Sequence, residues 1–409
     1  MMNIEKSKSG LFTAKFNNKY IHSKYDPIKE SKQFIQQNID LITDKSNILL
    51  YGIGLGYHVN EIVDNMNNQS ILYVFELNDE LVKYAKEVNP RIFENNNVKI
   101  INSKFENFYN YFSEILDLTG DVIVHKGSLE TIKDTNENFY NLIFDYCEVK
   151  KSMNDENLNK LLDDNFNENM SHNYNTIDEF TKKLTDNKTY IVTSAGPSLD
   201  IELELVKKYR EKFRIISVGS SLRALMNNGI KPDAVVILDG KEVVKMQLVG
   251  YENEDIPLCF SSSASRWAVN AYNGPKFIFN TGKENETSIK SRGTVAVSAI
   301  DIAIKCNSKE IIFLGQDLAF IDGKSHTATF EKVYGFQDNV KNDHKNKEVR
   351  GVNGSMLPTT QGYMMFKNKI ESLILENKEI KFINCSMGAK IKGTIHMSFK
   401  EYINKKVGD

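Results

Sequence analysis

The chain has 409 residues, of which 41% are hydrophobic and 26% are charged, and its formal net charge is −2. A chain of this length exceeds what one compact core accommodates, so we expect two domains. The small net charge excludes a global field that would attract nucleic acid or an anionic membrane. No apolar run reaches the length of about 18 residues that a membrane span needs, and the first residues lack the apolar core of a signal peptide, so we expect a cytoplasmic protein.

The first predicted domain, residues 1–150, is a Rossmann-like unit built around a glycine-rich turn. Gly52, Gly54 and Gly56 follow one apolar run directly and precede apolar residues at helical spacing. A strand, a glycine-rich turn, a helix and a second strand make a βαβ unit, which implies a parallel sheet. The apolar runs that predict its strands are 47–51, 71–75 and 98–101.

This glycine-rich turn resembles the fingerprint of a dinucleotide or S-adenosylmethionine site. Glu76 follows the last glycine by about twenty residues, where a ribose-binding carboxylate is expected. A Rossmann-like domain can also keep the tight turn without keeping a ligand. Gly52, Gly54, Gly56 and Glu76 are therefore a possible second nucleotide site, with methyl transfer as one alternative function.

Residues 151–187 are rich in Asn and Asp and show helical spacing only in places, which predicts a helical connector. From 188 to 409 the pattern predicts a second α/β domain with a C-terminal helical tail. Its apolar runs are continuous rather than alternating, as expected for parallel strands that are buried on both faces. The seven runs are 190–192, 215–218, 234–238, 257–260, 277–279, 311–314 and 380–383.

Small polar residues follow each of these seven runs, for example Thr193 after the first, 280–282 after the fifth and Asn384 after the last. The carboxyl ends of parallel strands line one crevice, which is where open α/β sheets bind ligands. Strands end in turn residues in any case, so a single polar end indicates little. Seven in succession favour a ligand site along this edge.

Gly196, Pro197 and Ser198 lie between the first of these strands and a helix. Gly196 lets the backbone approach a ligand closely, and Pro197 sets the start of the helix. Ser198 suits the N-cap, and the free amides of the first turn can accept a phosphate. Plain capping also explains Ser198, and Asp200 already complements the helix dipole. Because no Gly-Lys-Ser/Thr follows, this is not a Walker loop.

Two later segments offer further polar groups. Arg292, Gly293 and Thr294 open another helix, where the guanidinium can meet an anion, and an ordinary cap with an exposed arginine is the alternative. Asp317 and His326 follow the sixth strand. A histidine is the natural proton acceptor for a hydroxyl nucleophile, and Asp317 could orient it or bind a sugar hydroxyl. A loop histidine is also often only a surface residue.

Neither a disulfide framework nor a metal site is predicted. The four cysteines lie far apart and form no C-x-x-C pair. The seven histidines do not cluster along the chain, so we expect no histidine-rich metal site. Asp239 and Asp317 could together hold a divalent ion, although no D-x-D pair supports that arrangement.

Several short motifs occur together and in a fixed order along the chain. They are 22–27 with Glu30, 51–57, 195–200, 229–233, 293–296, 315–319, and 384–389 with Ile391 and Gly393. This ordered set resembles the motility-associated factor (Maf) flagellin glycosyltransferases over most of the chain, from 21 to 393. Two positions depart from the family: Arg292 stands where it often has Gly, and Gly240 follows Asp239 where it often has Pro.

The resemblance implies that the second domain is related to bacterial sialyltransferases and to the archaeal hydroxymethylpterin pyrophosphokinase MptE. It implies transfer of a nonulosonic acid of pseudaminic, legionaminic or sialic type from its CMP-activated form to Ser or Thr of flagellin. Flagellin would be modified in the cytoplasm before export, in support of flagellum assembly and motility. The CMP-activated sugar is then a co-substrate, and no further cofactor is expected.

Carried over motif by motif, the resemblance also implies residue roles. The CMP phosphate would be held by Gly196, Pro197 and Ser198, and the nucleotide would lie near Ser220 and Asp239. The donor would be approached by Gly293 and Thr294. The reacting centre would lie near Gln316, Asp317 and His326. We expect an inverting transfer through an oxocarbenium-like transition state, with His326 as the base. Two other functions stay open: Mg²⁺-dependent diphosphate transfer to a pterin through Asp239 and Asp317, and flagellin binding without chemistry.

Overall fold

A computed structural model describes residues 2–153, 155–184, 188–281, 288–330 and 347–406, so that Gly282, in the polar turn after the fifth predicted strand, lies outside the described residues. The chain divides into two compact units, Met1–Ser152 and Met153–Asp409. Every helix in the described ranges is too short or too polar to cross a membrane.

The helices and strands of the first unit follow one another in chain order. They are β1 (Met2–Lys6), β2 (Phe12–Phe16), β3 (Lys19–Tyr20), α1 (Pro27–Gln36), a 3-10 helix (Ile39–Leu41), β4 (Asn47–Tyr51), α2 (Tyr57–Asn65), β5 (Ile71–Glu76), α3 (Asp79–Val88), α4 (Arg91–Glu94), β6 (Val98–Asn102), α5 (Phe108–Thr119), β7 (Ile123–Val124), α6 (Lys126–Glu130) and α7 (Glu137–Met153).

A parallel sheet with the strand order β6-β5-β4-β7 forms the centre of the first unit. The predicted βαβ unit is confirmed, because β4, β5 and β6 are its strands and α2 follows β4. Side chains alternate between two cores: Leu50 and Val74 face one, and Tyr51 and Phe75 face the other. Burial on both faces explains the continuous apolar runs. The antiparallel sheet β1-β2-β3 was not predicted.

The second unit is larger and carries the second predicted α/β domain. Its elements are α8 (Glu156–Met170), β8 (Asn175–Thr176), α9 (Ile177–Lys183), β9 (Thr189–Thr193), α10 (Leu199–Lys208), a 3-10 helix (Arg210–Lys212), β10 (Phe213–Val218), α11 (Gly219–Asn227), β11 (Ala234–Ile237), a 3-10 helix (Glu242–Gln247), β12 (Leu258–Ser261), α12 (Arg266–Ala271), β13 (Lys276–Phe279), α13 (Val295–Lys305), β14 (Glu310–Leu314), β15 (Lys347–Arg350), β16 (Met356–Thr359), α14 (Gln361–Glu376), β17 (Lys381–Asn384), β18 (Ile395–His396) and α15 (Phe399–Lys406).

One sheet with the order β18-β17-β14-β9-β10-β11-β12-β13-β8 organises this unit, and all its pairings are parallel. The seven predicted strands are confirmed as β9 to β14 and β17. The edge strands β8 and β18 were not predicted, because two residues each are too short to show a period. The antiparallel hairpin β15–β16 was also not predicted.

The strand order places a reversal of chain direction beside β9. From β9 the chain moves outward through β10 to β13 and then returns to β14 on the other side of β9. In open α/β sheets, ligands bind outside the carboxyl ends of the strands at such a reversal. Helices cover both faces of the sheet: α13 and α14 bury Val297 and Ile370 on one side, and α10, α11 and α15 bury Leu203, Leu225 and Phe399 on the other.

The segment 151–187, predicted as a connector, contains α8, β8 and α9. β8 pairs with β13 at the edge of the large sheet. In α8, the buried Asn165 side chain donates to the Gly240 carbonyl at 2.8 Å, and the buried Asn169 side chain donates to the Ser262 carbonyl at 3.0 Å. These amides satisfy loop carbonyls at the carboxyl ends of β11 and β12, so α8 is packed into the second unit.

Candidate functional site

A cleft of ≈ 290 Å³ opens at the carboxyl ends of β10 and β11. Four of the predicted donor-binding residues line it, namely Ser220, Asp239, Gly293 and Thr294. They come from three separate stretches of the chain, and the parallel sheet brings them to one edge. The remaining lining residues are Gly219, Val236, Ile237, Leu238, Val244, Gln247, Val295 and Phe366.

A close approach between α11 and the neighbouring 3-10 helix shapes one wall of the cleft. Gly219 is the first residue of α11, and a Cβ atom at this position would lie 2.1 Å from the Oε1 atom of Gln247. Glycine therefore lets the Gln247 amide lie against the start of the helix. Gln247 and Phe366 were missing from the sequence-based prediction because no local motif marks them.

The N-terminus of α13 forms another part of the lining. Thr294 is the N-cap residue, and the Val297 amide donates to its carbonyl at 3.1 Å. The amides of Val295 and Ala296, which come before Val297, have no carbonyl partner within the helix, and the helix dipole makes this end positive. Since Gly293, Thr294 and Val295 all line the cleft, this wall suits a phosphate.

Arg292 does not line the cleft, although it precedes Gly293. Its Nη2 atom bonds to Oε1 of Glu376 at 2.5 Å, and Nζ of Lys290 lies 3.2 Å from the other oxygen of that carboxylate. The hydrogen bond from Arg292 holds the pKa of Glu376 below its usual range. The guanidinium was predicted to bind an anion of the ligand, but it already forms an ion pair with the Glu376 carboxylate of the protein.

Asp317 lies at the reversal beside β9 and anchors two loops. Its Oδ2 atom accepts the Ser198 amide at 2.9 Å, and its Oδ1 atom accepts the Met387 amide at 3.1 Å. The residue is 2% exposed, and burial raises the pKa of its carboxyl, against the opposing effect of these hydrogen bonds. The carboxylate therefore holds the loop after β9 and the loop after β17 together.

Two glycines make room for this anchor. A Cβ atom at Gly196 would lie 2.3 Å from Oδ2 of Asp317, and one at Gly388 would lie 2.0 Å from its carbonyl oxygen. The Gly196-Pro197-Ser198 turn is thus closed around a side chain of the protein itself. Ser198 occupies the N-cap position of α10 without a capping bond from its side chain, which differs from the capping role expected for it.

Gln316 also joins loops at this reversal. Its Oε1 atom accepts the Ser194 hydroxyl at 2.7 Å, and its backbone amide donates to the Ser386 hydroxyl at 2.8 Å. The side chain is buried. Like Asp317, Gln316 is held by the protein at the point where the resemblance implied a reacting centre.

His326 lies on the loop after β14, close to the Gly196 turn. The neighbouring Thr327 amide donates to the Ala195 carbonyl at 2.8 Å. The imidazole is half-buried, bonds through Nδ1 to the Ser325 hydroxyl at 2.7 Å, and stacks on the Phe330 ring with 4.0 Å between centroids. These contacts orient the ring, and its role as a base stays a prediction.

In the first unit, side chains of the protein accept hydrogen bonds from the backbone amides of the glycine-rich turn. The Ile53 amide donates to Oε2 of Glu76 at 3.0 Å, and the Gly54 amide donates to the Ser128 hydroxyl at 2.9 Å. Glu76 is fully buried, and burial raises the pKa of its carboxyl to about 7. The groups that a dinucleotide fold directs at its ligand are therefore satisfied internally.

Three of the histidines, which do not cluster along the chain, lie together in the fold of the first unit. His22, His58 and His125 are all buried, and each offers a ring nitrogen within 4.8 Å of the others. Burial lowers the pKa of His58 to about 3 and holds the pKa of His125 well below its usual range. The three residues lie far apart in the sequence, so only the fold brings them together.

Three comparisons with known proteins bear on this arrangement. Residues 164–323 match the family model of the 6-hydroxymethylpterin diphosphokinase MptE-like proteins. An uncharacterized protein of Treponema pallidum (strain Nichols) is 25% identical over 153 residues, which cover 34% of this chain and 26% of that protein. The alignment thus spans about a quarter of the length of this curated relative.

The third comparison concerns a solved structure, that of a Maf glycosyltransferase from Magnetospirillum magneticum AMB-1. The two share a fold with a TM-score of 0.51 and 12% identity, over 98% of this chain and 70% of that chain. The resemblance to the Maf family is therefore confirmed at the level of the fold, and so is the predicted α/β architecture.

Proposed function

We propose that the protein is a glycosyltransferase that moves a nonulosonic acid from its CMP-activated form to Ser or Thr residues of flagellin in the cytoplasm. The fold shared with a Maf glycosyltransferase supports the general class. The donor and the acceptor rest on the ordered motifs of the sequence.

The cleft at β10 and β11 carries this proposal. It brings together Ser220, Asp239 and Thr294, which the motifs assign to the donor, at the carboxyl edge of a parallel sheet. Small-molecule pockets usually have volumes of about 300–1,000 Å³, and the cleft, at ≈ 290 Å³, is near the lower end of this range. The cleft therefore suits the nucleotide part of the donor, with the sugar directed outward.

Each wall then has a role in binding. The α13 terminus receives the phosphate through its first-turn amides and the Thr294 hydroxyl. Asp239 is exposed, and its Oδ1 atom accepts the Lys241 amide at 2.9 Å, which holds the carboxylate at the rim, where its other oxygen would accept a ribose hydroxyl. Phe366 offers an aromatic surface beside the nucleobase.

For the reaction itself, the protein has mainly to position the acceptor hydroxyl and to stabilise the charge that develops on the phosphate. The acceptor hydroxyl forms the new bond to the anomeric carbon, the bond from that carbon to the phosphate breaks, and CMP leaves with the electron pair. The positive α13 terminus stabilises the charge that develops on the phosphate. His326 takes the proton of the acceptor hydroxyl late in the reaction, and loss of a general base typically costs about 10²–10⁴-fold in rate.

The direct test incubates the purified chain with flagellin and a CMP-nonulosonate, and measures the intact mass of flagellin and the release of CMP. We expect one or more nonulosonate additions. Thr294→Val and Asp239→Asn should lower the turnover, whereas the matched changes Thr43→Val and Asp40→Asn, at exposed positions of the first unit, should not. An unchanged flagellin mass with every nonulosonate donor would contradict the proposal.

A second candidate, diphosphate transfer from ATP to a pterin, is favoured by the match of residues 164–323 to the MptE-like model. It requires Mg²⁺, for which Asp239 and Asp317 are the available carboxylates. Both oxygens of Asp317 already accept backbone amides, which weighs against this function. Protection against thermal unfolding by MgATP but not by CMP, with activity lost in EDTA, would favour it.

Two weaker alternatives have equally direct readouts. Methyl transfer requires S-adenosylmethionine to bind at the glycine-rich turn, where Glu76 and Ser128 occupy the amides, so equilibrium binding of this cofactor tests it. A flagellin-binding protein without chemistry would retain flagellin on a column and leave its mass unchanged.

A further inference from the structure

We propose that His22, His58 and His125 form a binding site for a zinc ion in the first unit. The site is separate from the cleft of the second unit and does not depend on the proposed transfer reaction. Each imidazole supplies one nitrogen, and a water molecule takes the fourth position.

The positions of the rings come close to what a tetrahedral ion needs. The ligand nitrogens lie within 4.8 Å of one another. Three histidine nitrogens bound to zinc at their usual distance lie about 3.4 Å apart, so small ring rotations close the difference. The ring centroids are already 4.2 Å apart for His58 and His125 and 4.8 Å apart for His22 and His125.

Outer hydrogen bonds orient two of the rings. His58 donates from Nε2 to the Gly52 carbonyl at 2.8 Å, which leaves Nδ1 with its lone pair. His125 bonds through Nδ1 to the Ser128 hydroxyl at 2.9 Å. The same nitrogen accepts the Ser128 amide at 3.3 Å, so both of these bonds hold Nδ1 against the first turn of α6 and Nε2 is the nitrogen left for the ion.

The third ring has the carboxylate partner that is common behind metal-bound histidines. His22 Nδ1 lies 3.3 Å from Oε2 of Glu30, which leaves Nε2 for the ion. At present the Leu55 amide donates to this nitrogen at 2.8 Å. The ion displaces this amide, and at His125 the proton of the neutral ring moves from Nε2 to Nδ1, where the Ser128 hydroxyl accepts its hydrogen bond.

An unsatisfied atom points to a missing ligand. His58 Nδ1 is buried and has no hydrogen-bond partner among the described residues. Leaving a buried polar atom unpaired is costly, so such atoms in folded proteins usually bind water or an ion. The ring is 1% exposed, so bulk water does not reach this nitrogen.

The donor set selects the ion by its chemistry. Three neutral imidazoles without a thiolate suit zinc and its neighbours cobalt, nickel and copper rather than magnesium or calcium, which prefer oxygen. Zinc is known to bind three histidines and a water molecule in a tetrahedral site, and cobalt(II) can replace it as a spectroscopic probe.

The test uses the full chain after dialysis against EDTA and then against buffer. Wild type should take up one Zn²⁺ per chain by elemental analysis, and Co²⁺ should produce the visible absorption of a tetrahedral site. His58→Gln and His125→Gln should abolish both signals, whereas His172→Gln, at an exposed histidine of the second unit, should not. Glu30→Gln should weaken Zn²⁺ binding by about 10–100-fold.

Thermal unfolding separates loss of binding from loss of folding. Zn²⁺ should raise the Tm of wild type and of His172→Gln but leave that of His58→Gln unchanged. If the His58 and His125 variants fail to fold, the Glu30→Gln titration decides the question. No Zn²⁺ uptake by wild type, or equal affinity in wild type and Glu30→Gln, would overturn the proposal.

Discussion

Replacing Asp317 by Asn tests whether this carboxylate is first of all an anchor between loops. Asn keeps one oxygen and turns the other into an NH₂ donor. Since the Ser198 and Met387 amides approach different oxygens of Asp317, one of them will face the new donor. The change therefore removes one charge-assisted bond and leaves buried donors without an acceptor.

The size of the effect follows from these two losses. A hydrogen bond to a charged group contributes about 1.5–3 kcal/mol, and an unsatisfied buried donor costs about 1–3 kcal/mol. At 2% exposure water cannot replace the lost partner. We expect the free energy of unfolding to fall by about 3–5 kcal/mol, which lowers Tm by about 2–4 °C for each kcal/mol in a unit of this size.

The single tryptophan of the chain, Trp267, lies on α12, so its fluorescence reports on the second unit. Thermal unfolding of Asp317→Asn is followed by this signal beside Asp322→Asn, a matched change at an exposed position of the same loop. Asp322→Asn should leave Tm unchanged. If Asp317→Asn also unfolds at the wild-type temperature but loses transfer activity, the anchoring role is wrong and a direct role in the reaction is supported.

Three further predictions concern other described contacts. Burial raises the pKa of Glu76 to about 7 against 4.5 for the free residue, so its neutral form stabilises the fold at low pH and this stabilisation is lost as pH rises through 7. Between pH 4.5 and pH 8 the unfolding free energy of wild type should therefore fall by about 3 kcal/mol relative to that of Glu76→Gln. Unfolding followed by circular dichroism measures this, and parallel pH profiles of the two proteins would refute it. Gly54→Ala places Cβ 2.4 Å from Nε2 of His22 at a φ of +51°, and should destabilise the first unit by more than Gly10→Ala, where φ is +82° and no atom lies within 4 Å; hydrogen exchange of the β4 amides measures the difference. Gly219→Ala should push Gln247 into the cleft and weaken binding of CMP, while Ile237 Cγ2, 2.9 Å from the new Cβ, must also shift. Equal CMP affinity would argue against the assigned site.

The sequence by itself determined the longer strands of the two parallel sheets. The runs at 48–51 and 190–192 are apolar at every position because their strands are buried on both faces, and that requirement acts locally on each residue. The polar residues after the strands were also visible, since turn chemistry is local. Ser220 and Asp239 are among these polar residues, whereas the family resemblance assigned them and Thr294 to the donor; all three line one cleft.

Only the tertiary structure decided which polar groups meet each other. Asp317 stood out as a single loop carboxylate, and nothing near it in sequence indicates Met387 as its partner. His58 and His125 are separated by the whole β5–β6 crossover, and they meet because β7 pairs with β4. Strand order is set by long-range pairing and by the packing of helices over the sheet, so such convergence leaves no periodic trace in the sequence that would predict it.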